Sequence, residues 1–276
     1  MSDERTILMA TPAEMARLVQ DAMLYKAQAT VQRTLLLALA GGAHIALGFV
    51  FYVTSQVGAE AMPWGVAKVL GGVVFSVGLI MVVLTGADLF TSTTMTLMLK
   101  ASGHLSWWRL LRHWGLVYLG NAAGALVIVA LIFVGGVQRS ADSAWGRVVL
   151  ASASHKLDHS FVAALALGIA CNLLVCLAVW AAFSGRTTTD KILALVGPVA
   201  LFVATGFEHS VANMFLVPLA ILIQPELAPV GFEPLTWGHF LTANLIPVTL
   251  GNIIGGGLMI GLFYWLVFRP KRDAAR

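Results

Sequence analysis

The sequence predicts an all-α membrane protein: six transmembrane helices in two inverted three-helix repeats, with the second and fifth helices broken. Three observations carry this. The 276 residues are 59% hydrophobic and only 11% charged, where a soluble domain carries about a quarter charged residues. Of six long apolar segments, at roughly 35–55, 68–90, 114–136, 161–183, 191–223 and 244–268, all but the fifth match the ~20 residues that one bilayer crossing needs. The second and fifth are interrupted by the related strings Gly86-Ala87-Asp88 and Gly206-Phe207-Glu208. With a mean hydropathy of +0.86, the chain has little left for an extramembrane domain, so a soluble enzyme is excluded and any function lies in or across a membrane.

The elements follow in order. The first thirty-odd residues mix Asp3, Glu4, Arg5, Glu14, Arg17, Asp21 and Lys26, which is wrong for a cleaved signal peptide, and the N-terminus is expected to be kept. Thr11-Pro12-Ala13-Glu14 reads as a capping box with proline at the first helical position. Met15, Leu18, Val19, Ala22 and Met23 follow at helical spacing, so residues 11–28 form an amphipathic helix. It either packs on the membrane surface or a neighbouring subunit, or acts as a lid under a pore. Residues 1–34 are therefore a cytoplasmic N-terminal segment, 35–268 a six-helix membrane domain and 269–276 a basic cytoplasmic tail.

Four of the spans are simple. The fifth segment, Lys191 to Ile223, is too long for one crossing, and Gly206-Phe207-Glu208-His209-Ser210 divides it into portions of about half a bilayer each at ~1.5 Å per residue. The second breaks similarly at Gly86–Thr91 before a short apolar stretch, Met95–Leu99. A second echo joins the halves: Gly120-Asn121-Ala122-Ala123-Gly124 in the third segment recurs as Gly251-Asn252-Ile253-Ile254-Gly255 in the sixth. Three crossings per copy is an odd number, so the copies have opposite orientation, a plan used by channels and transporters whose site lies where the repeats meet.

Orientation follows from charge. Thirteen of the 17 Lys and Arg residues lie on the side holding both ends; Lys68, Arg139, Arg147 and Lys156 lie on the other. Both termini are thus cytoplasmic, and the net charge of +4 reflects topology rather than nucleic-acid binding. Cys171 and Cys176 are five apart in one apolar run, so they point to different sides of a helix and form no bridge.

Non-helical backbone at membrane depth persists only where it is buried in protein or lines a watery cavity, and ionisable residues there are costly and functional by default. Asp88, Glu208 and His209 are singled out on both counts. Asp88 and Glu208 occupy equivalent places and suit a structural role, accepting hydrogen bonds from the N–H groups freed by the breaks. Phe202, Gly206 and His209, at i, i+4 and i+7, share one face if helical geometry continues, which puts His209 beyond an aromatic plug. Phe75 pairs with Leu79, and Asn172 with Val175, on single helical faces. With Phe202 and Leu89 they would form two constrictions around a polar middle of His209, Thr91 and Asn252, a sieve for small neutral species. His44, among Gly41, Gly42 and Ala43, reads as a structural interhelical hydrogen bond.

His155 and His159 have metal-ligand spacing, but Lys156 stands where a zinc-protease helix has Glu and no third ligand is evident, so no metal site is expected. Lys156, near the outer mouth of the fourth span, either concentrates small anions as a lone cation or snorkels to the interface. Ser210 directly follows His209, so the two diverge and cannot form a nucleophile and base; a Gly-x-Ser-x-Gly elbow and a Walker loop are absent. No enzyme activity and no cofactor are expected.

GADLFT at 86–91, GFEHSVANMF at 206–215 and LIPVTLGNIIGGGL at 245–258, with MPWG at 62–65 and the His155-Lys156 and His159 string, resemble the formate/nitrite transporter family, and most closely its formate channels. The resemblance runs from about residue 11 to 268 and departs most at 224–243 and the extreme N-terminus. It implies an aquaporin-like fold and a homopentamer in the lipid of the bacterial inner membrane, with one pore per protomer. It places Phe75, Asn172 and Phe202 at a periplasmic slit and Leu79, Leu89 and Val175 at a cytoplasmic one. It sets Thr91, His209 and Asn252 between them, and makes Lys156 an attractor of anions. The implied substrates are small monovalent anions: formate, with acetate, nitrite or hydrosulfide. On this reading His209 gives and takes a proton so that the neutral acid crosses. A nitrite or hydrosulfide channel, a plain anion channel without protonation, and a neutral-solute channel or an unrelated proton-coupled symporter are the alternatives.

Overall fold

The computed structural model describes residues 9–269, among which there is no β-strand. The expected tail at 269–276, Arg269 apart, and the first eight residues lie outside the described residues. The helices are α1 (Pro12–Ala27), α2 (Val31–Gln56), α3 (Trp64–Thr85), α4 (Phe90–Thr93), α5 (Leu97–Ala101), α6 (Trp107–Val134), α7 (Ala144–Leu157), α8 (Phe161–Ala182), α9 (Thr188–Ala204) and α10 (Ser210–Leu227), followed by a last long helix. That helix runs from α11 (Trp237–His239) through α12 (Ile246–Asn252) to α13 (Phe263–Phe268), with π-helical stretches at Phe240–Leu245 and Ile253–Leu262 between them. Six spans are long and apolar enough to cross a membrane: α2, α3, α6, α8, α10 and Trp237–Phe268.

The helices start where short polar side chains satisfy the free N–H groups of a first turn. Thr11 caps α1 in a reciprocal box with Glu14; Thr30, Ser106 and Ser160 cap α2, α6 and α8; Thr187 and Asp190 form a second box on α9. α1 occupies Pro12–Ala27, with Val19 and Met23 buried. The portions flanking the breaks are longer than half a bilayer. α3 has 22 residues and α9 has 17, ~33 and ~26 Å at 1.5 Å per residue, because their first turns extend the apolar runs.

α2 packs against α6, and α8 against α12, through the two glycine motifs. A Cβ on Gly124 would strike the carbonyl oxygen of Leu39, and one on Gly255 that of Ile169, so backbones meet where a side chain would hold them apart. Gly86 and Gly206 end α3 and α9 with φ of 74° and 75°, the left-handed conformation that stops a helix and that glycine alone enters freely. His44 does not make the expected interhelical bond through Nδ1, which has no hydrogen-bond partner.

Candidate functional site at the two helix breaks

After Gly86 and Gly206 three residues leave the helix, the last of them, Leu89 and His209, extended, before the chain turns into α4 and α10. The freed backbone groups are satisfied in the same way at both places. The Asp88 N–H donates to the Leu37 carbonyl at 3.1 Å and the Glu208 N–H to that of Leu167 at 3.3 Å. Asn121 Oδ1 accepts from the Phe90 N–H at 2.7 Å, and its Nδ2 donates to the carbonyls of Ala38 and Asp88. Asn252 Oδ1 accepts from the Ser210 N–H at 3.0 Å, and its Nδ2 donates to the carbonyls of Gly168 and Glu208. Each motif asparagine thus staples one break to a neighbouring helix, and the six backbone groups named at the breaks are paired as burial demands.

This assigns the asparagines, rather than the carboxylates, to the structural task expected of Asp88 and Glu208. The carboxylates instead meet lysines. Lys26 Nζ lies 2.7 Å from Asp88 Oδ1 and Lys156 Nζ lies 2.7 Å from Glu208 Oε1, with both carboxylates fully buried. Lys156 is accordingly not a lone cation. Lys26 on α1 and Lys156 on α7 are counterparts, which extends the internal repeat to the two short amphipathic helices. Sequence reasoning counted Lys26 only as a topological charge; a lysine ahead of the acid in both copies, by 62 and 52 residues, was the available signal. Glu208 is further held by Nδ2 of Asn213 at 2.7 Å and of Asn244 at 3.1 Å, two residues the sequence did not single out.

His209 is 2% exposed. Its Nδ1 accepts the Ala212 N–H at 3.1 Å and so caps α10, which leaves the neutral ring's proton on Nε2, 3.2 Å from Thr91 Oγ1 at the other break. The ring stacks on Phe202, centroids 6.0 Å apart at 21°, and Phe202 meets Phe75 edge to face at 5.9 Å. Outward of this aromatic pair is a vestibule of about 310 Å³ whose wall includes Lys68, His155, Lys156 and Glu208. Leu79, Leu89 and Val175 are all buried, in the same apolar cluster as Phe75 and Phe202. Asn172 and Asn252 are placed differently from expectation. Asn172 Nδ2 donates to the Thr91 carbonyl at 3.0 Å, Thr94 Oγ1 at 3.1 Å and the Asn252 carbonyl at 2.6 Å, so its amide ties the segment after the first break to α12, while the Asn252 amide is occupied by its staple. Among the described residues no group of three or more His, Cys, Asp or Glu could hold a metal ion.

A helical membrane protein whose two broken helices meet at buried polar side chains is built as a channel or transporter. The profile of the formate/nitrite transporter family matches residues 13–266, and the chain belongs to that family, whose members are channels and transporters rather than enzymes. It is 48% identical over 95% of both chains to the formate channel FocA of Escherichia coli K12, and 44% identical to that of Haemophilus influenzae, over 92% of this chain and 93% of the other. A solved structure described as a pentameric formate channel with formate bound superposes with a TM-score of 0.81 at 46% identity, covering 86% of this chain and 97% of that one.

Proposed function

We propose that the chain is a bidirectional, pH-dependent channel for formate and related small monovalent anions. On this reading it works as a homopentamer with one pore per protomer in the bacterial inner membrane, both termini cytoplasmic. The observation that carries this is the buried imidazole of His209, placed between an aromatic gate and Thr91 of the opposite break. Phe75 and Phe202 form the outer constriction, and Leu79, Leu89 and Val175 the inner one. A carboxylate driven bare through such slits loses its hydration at an effective cost of several kcal/mol. Neutralising an acid of pKa near 4 at pH 7 costs about 4 kcal/mol, three units at ~1.36 each.

The capping bond sets how His209 takes part. The neutral ring offers Nε2–H to a substrate oxygen beside Thr91, but it cannot give that proton away without first gaining another at Nδ1, where Ala212 is bonded. Losing one helix cap costs about 1 kcal/mol, small beside the cost of neutralising the anion. His209 therefore releases Ala212, takes a proton from water at Nδ1, passes the one on Nε2 to the carboxylate and is left as the Nδ1–H tautomer; the cap returns once Nε2 has taken up a proton from water and Nδ1 has given its own back to water. Asn172 and Asn252 hold the geometry instead of touching substrate.

Uptake by purified protein in liposomes, with formate, acetate, nitrite and hydrosulfide compared across pH, tests this. Electroneutral formate uptake with a pH profile lost in His209→Asn supports it; asparagine keeps the cap and removes the titrating ring. Formate current independent of pH in both proteins overturns the protonation step and leaves a plain anion channel. A higher rate for nitrite or hydrosulfide moves the substrate assignment within the family.

A further inference from the structure

The His155–His159 pair belongs to none of the roles above, yet it lies against the outer ion pair. Its rings meet edge to face with centroids 5.2 Å apart. His159 Nε2 is 3.8 Å from the same Glu208 Oε1 that binds Lys156, and in the neutral state that nitrogen is buried without a hydrogen-bond partner. In the first copy Tyr25 and Ala29 stand before and after Lys26 at the corresponding spacings, and the imidazole that feels the charges of Asp88 and Lys26 is instead the buried His113 on α6. The two ends share a lysine, a carboxylate and a motif asparagine, but only Glu208 also carries Asn213 and Asn244 on its second oxygen.

We propose that His159 is a pH-dependent competitor of Lys156 for Glu208, raising the affinity of the outer vestibule for anions when the medium on that side is acid. The charges around it make the sign clear. Glu208 and Asp158 favour a proton on His159, while His155 and Lys156 oppose it; Lys68 adds a further positive charge on the vestibule wall. With both histidines neutral, Lys156 and Glu208 cancel. A proton on His159 places a second cation on one Glu208 oxygen, so Lys156, its side chain 15% exposed and part of the vestibule wall, carries positive charge no longer balanced. Burial holds the His159 imidazole below its usual range, so the change comes on the acid side of the ordinary histidine pKa of about 6.5. One added unit charge about 8 Å from a captured anion is worth roughly three- to five-fold in affinity at an effective dielectric between those of protein and water.

The inference rests on the channel reading, and the test separates the two. Formate uptake is measured in sealed membrane vesicles of known orientation, varying pH on the side of His159 and clamping the other. The KM of His159→Gln divided by that of the unchanged protein is expected to rise from about one at pH near 7.5 to about three or more at pH near 5. His159→Lys, a permanent cation, is expected to hold the low KM at both. A ratio that stays flat, or a His159→Lys KM that still follows pH, overturns the His159 assignment, although the pH dependence of the maximal rate through His209 remains. Absence of formate uptake in every protein, including the unchanged one, overturns the channel reading instead.

Discussion

Single buried charges decide much of this protein. Asp88 is fully buried and its counter-charge is Lys26, whose side chain is 25% exposed. Stranding a buried charge costs about 3–5 kcal/mol, and partial exposure of the lysine points to the lower end. Lys26→Met is therefore expected to destabilise by about 3 kcal/mol, read as a lower midpoint of thermal unfolding in detergent. Adding Asp88→Asn to it should recover most of the loss, because the neutral amide no longer needs a cation. His209→Phe, compared with His209→Asn, isolates the cap: only the phenylalanine variant should lose the additional ~1 kcal/mol. The importance of Asp88, Glu208 and His209 was legible in the sequence, since ionisable groups at apolar depth have few reasons to be there. Their partners were not. Lys26 is 62 residues before Asp88 and Lys156 is 52 before Glu208, and no local pattern relates residues so far apart. The Nδ1 cap and the resulting tautomer likewise depend on a local turn that composition does not reveal.

At the scale of elements, helices touch where glycine removes the side chain. Gly124→Ala or Gly255→Ala would drive a methyl group into a carbonyl oxygen of the neighbouring helix, and such overpacking costs about 1–3 kcal/mol. Gly115 on the same helix as Gly124 has nothing within 4 Å of a Cβ. Gly115→Ala should therefore leave the unfolding midpoint unchanged or slightly raised, since alanine favours the helix, while the other two lower it. The capping box at Thr11 was readable from short-range chemistry, and both breaks from their Gly-x-acid strings; the second box, at Thr187, came from the structure. The π-helical stretches of the last helix were not: Ile253–Leu262 is apolar throughout, and its wider turn is set by what it packs against, not by any residue that marks it.

For the whole molecule, the uneven distribution of Lys and Arg makes a topological prediction. Both native cysteines are buried, so a single cysteine at Asp142, between α6 and α7, should react with an impermeant thiol reagent from outside intact spheroplasts. One at Gln28, between α1 and α2, should react only after lysis; the reverse pattern would invert the orientation argued from charge. The sequence by itself determined the class of fold, the six apolar crossings, the two interrupted helices and the echo between halves, because these are properties of composition and spacing along the chain. Tertiary structure alone decided that the motif asparagines hold the breaks, that each carboxylate is matched by a lysine from a short amphipathic helix, and that His209 spans from the end of one break to Thr91 of the other. The reason is physical: hydrophobicity and capping act between near neighbours, whereas a buried hydrogen bond or ion pair is satisfied by whichever group the packed helices bring within about 3 Å.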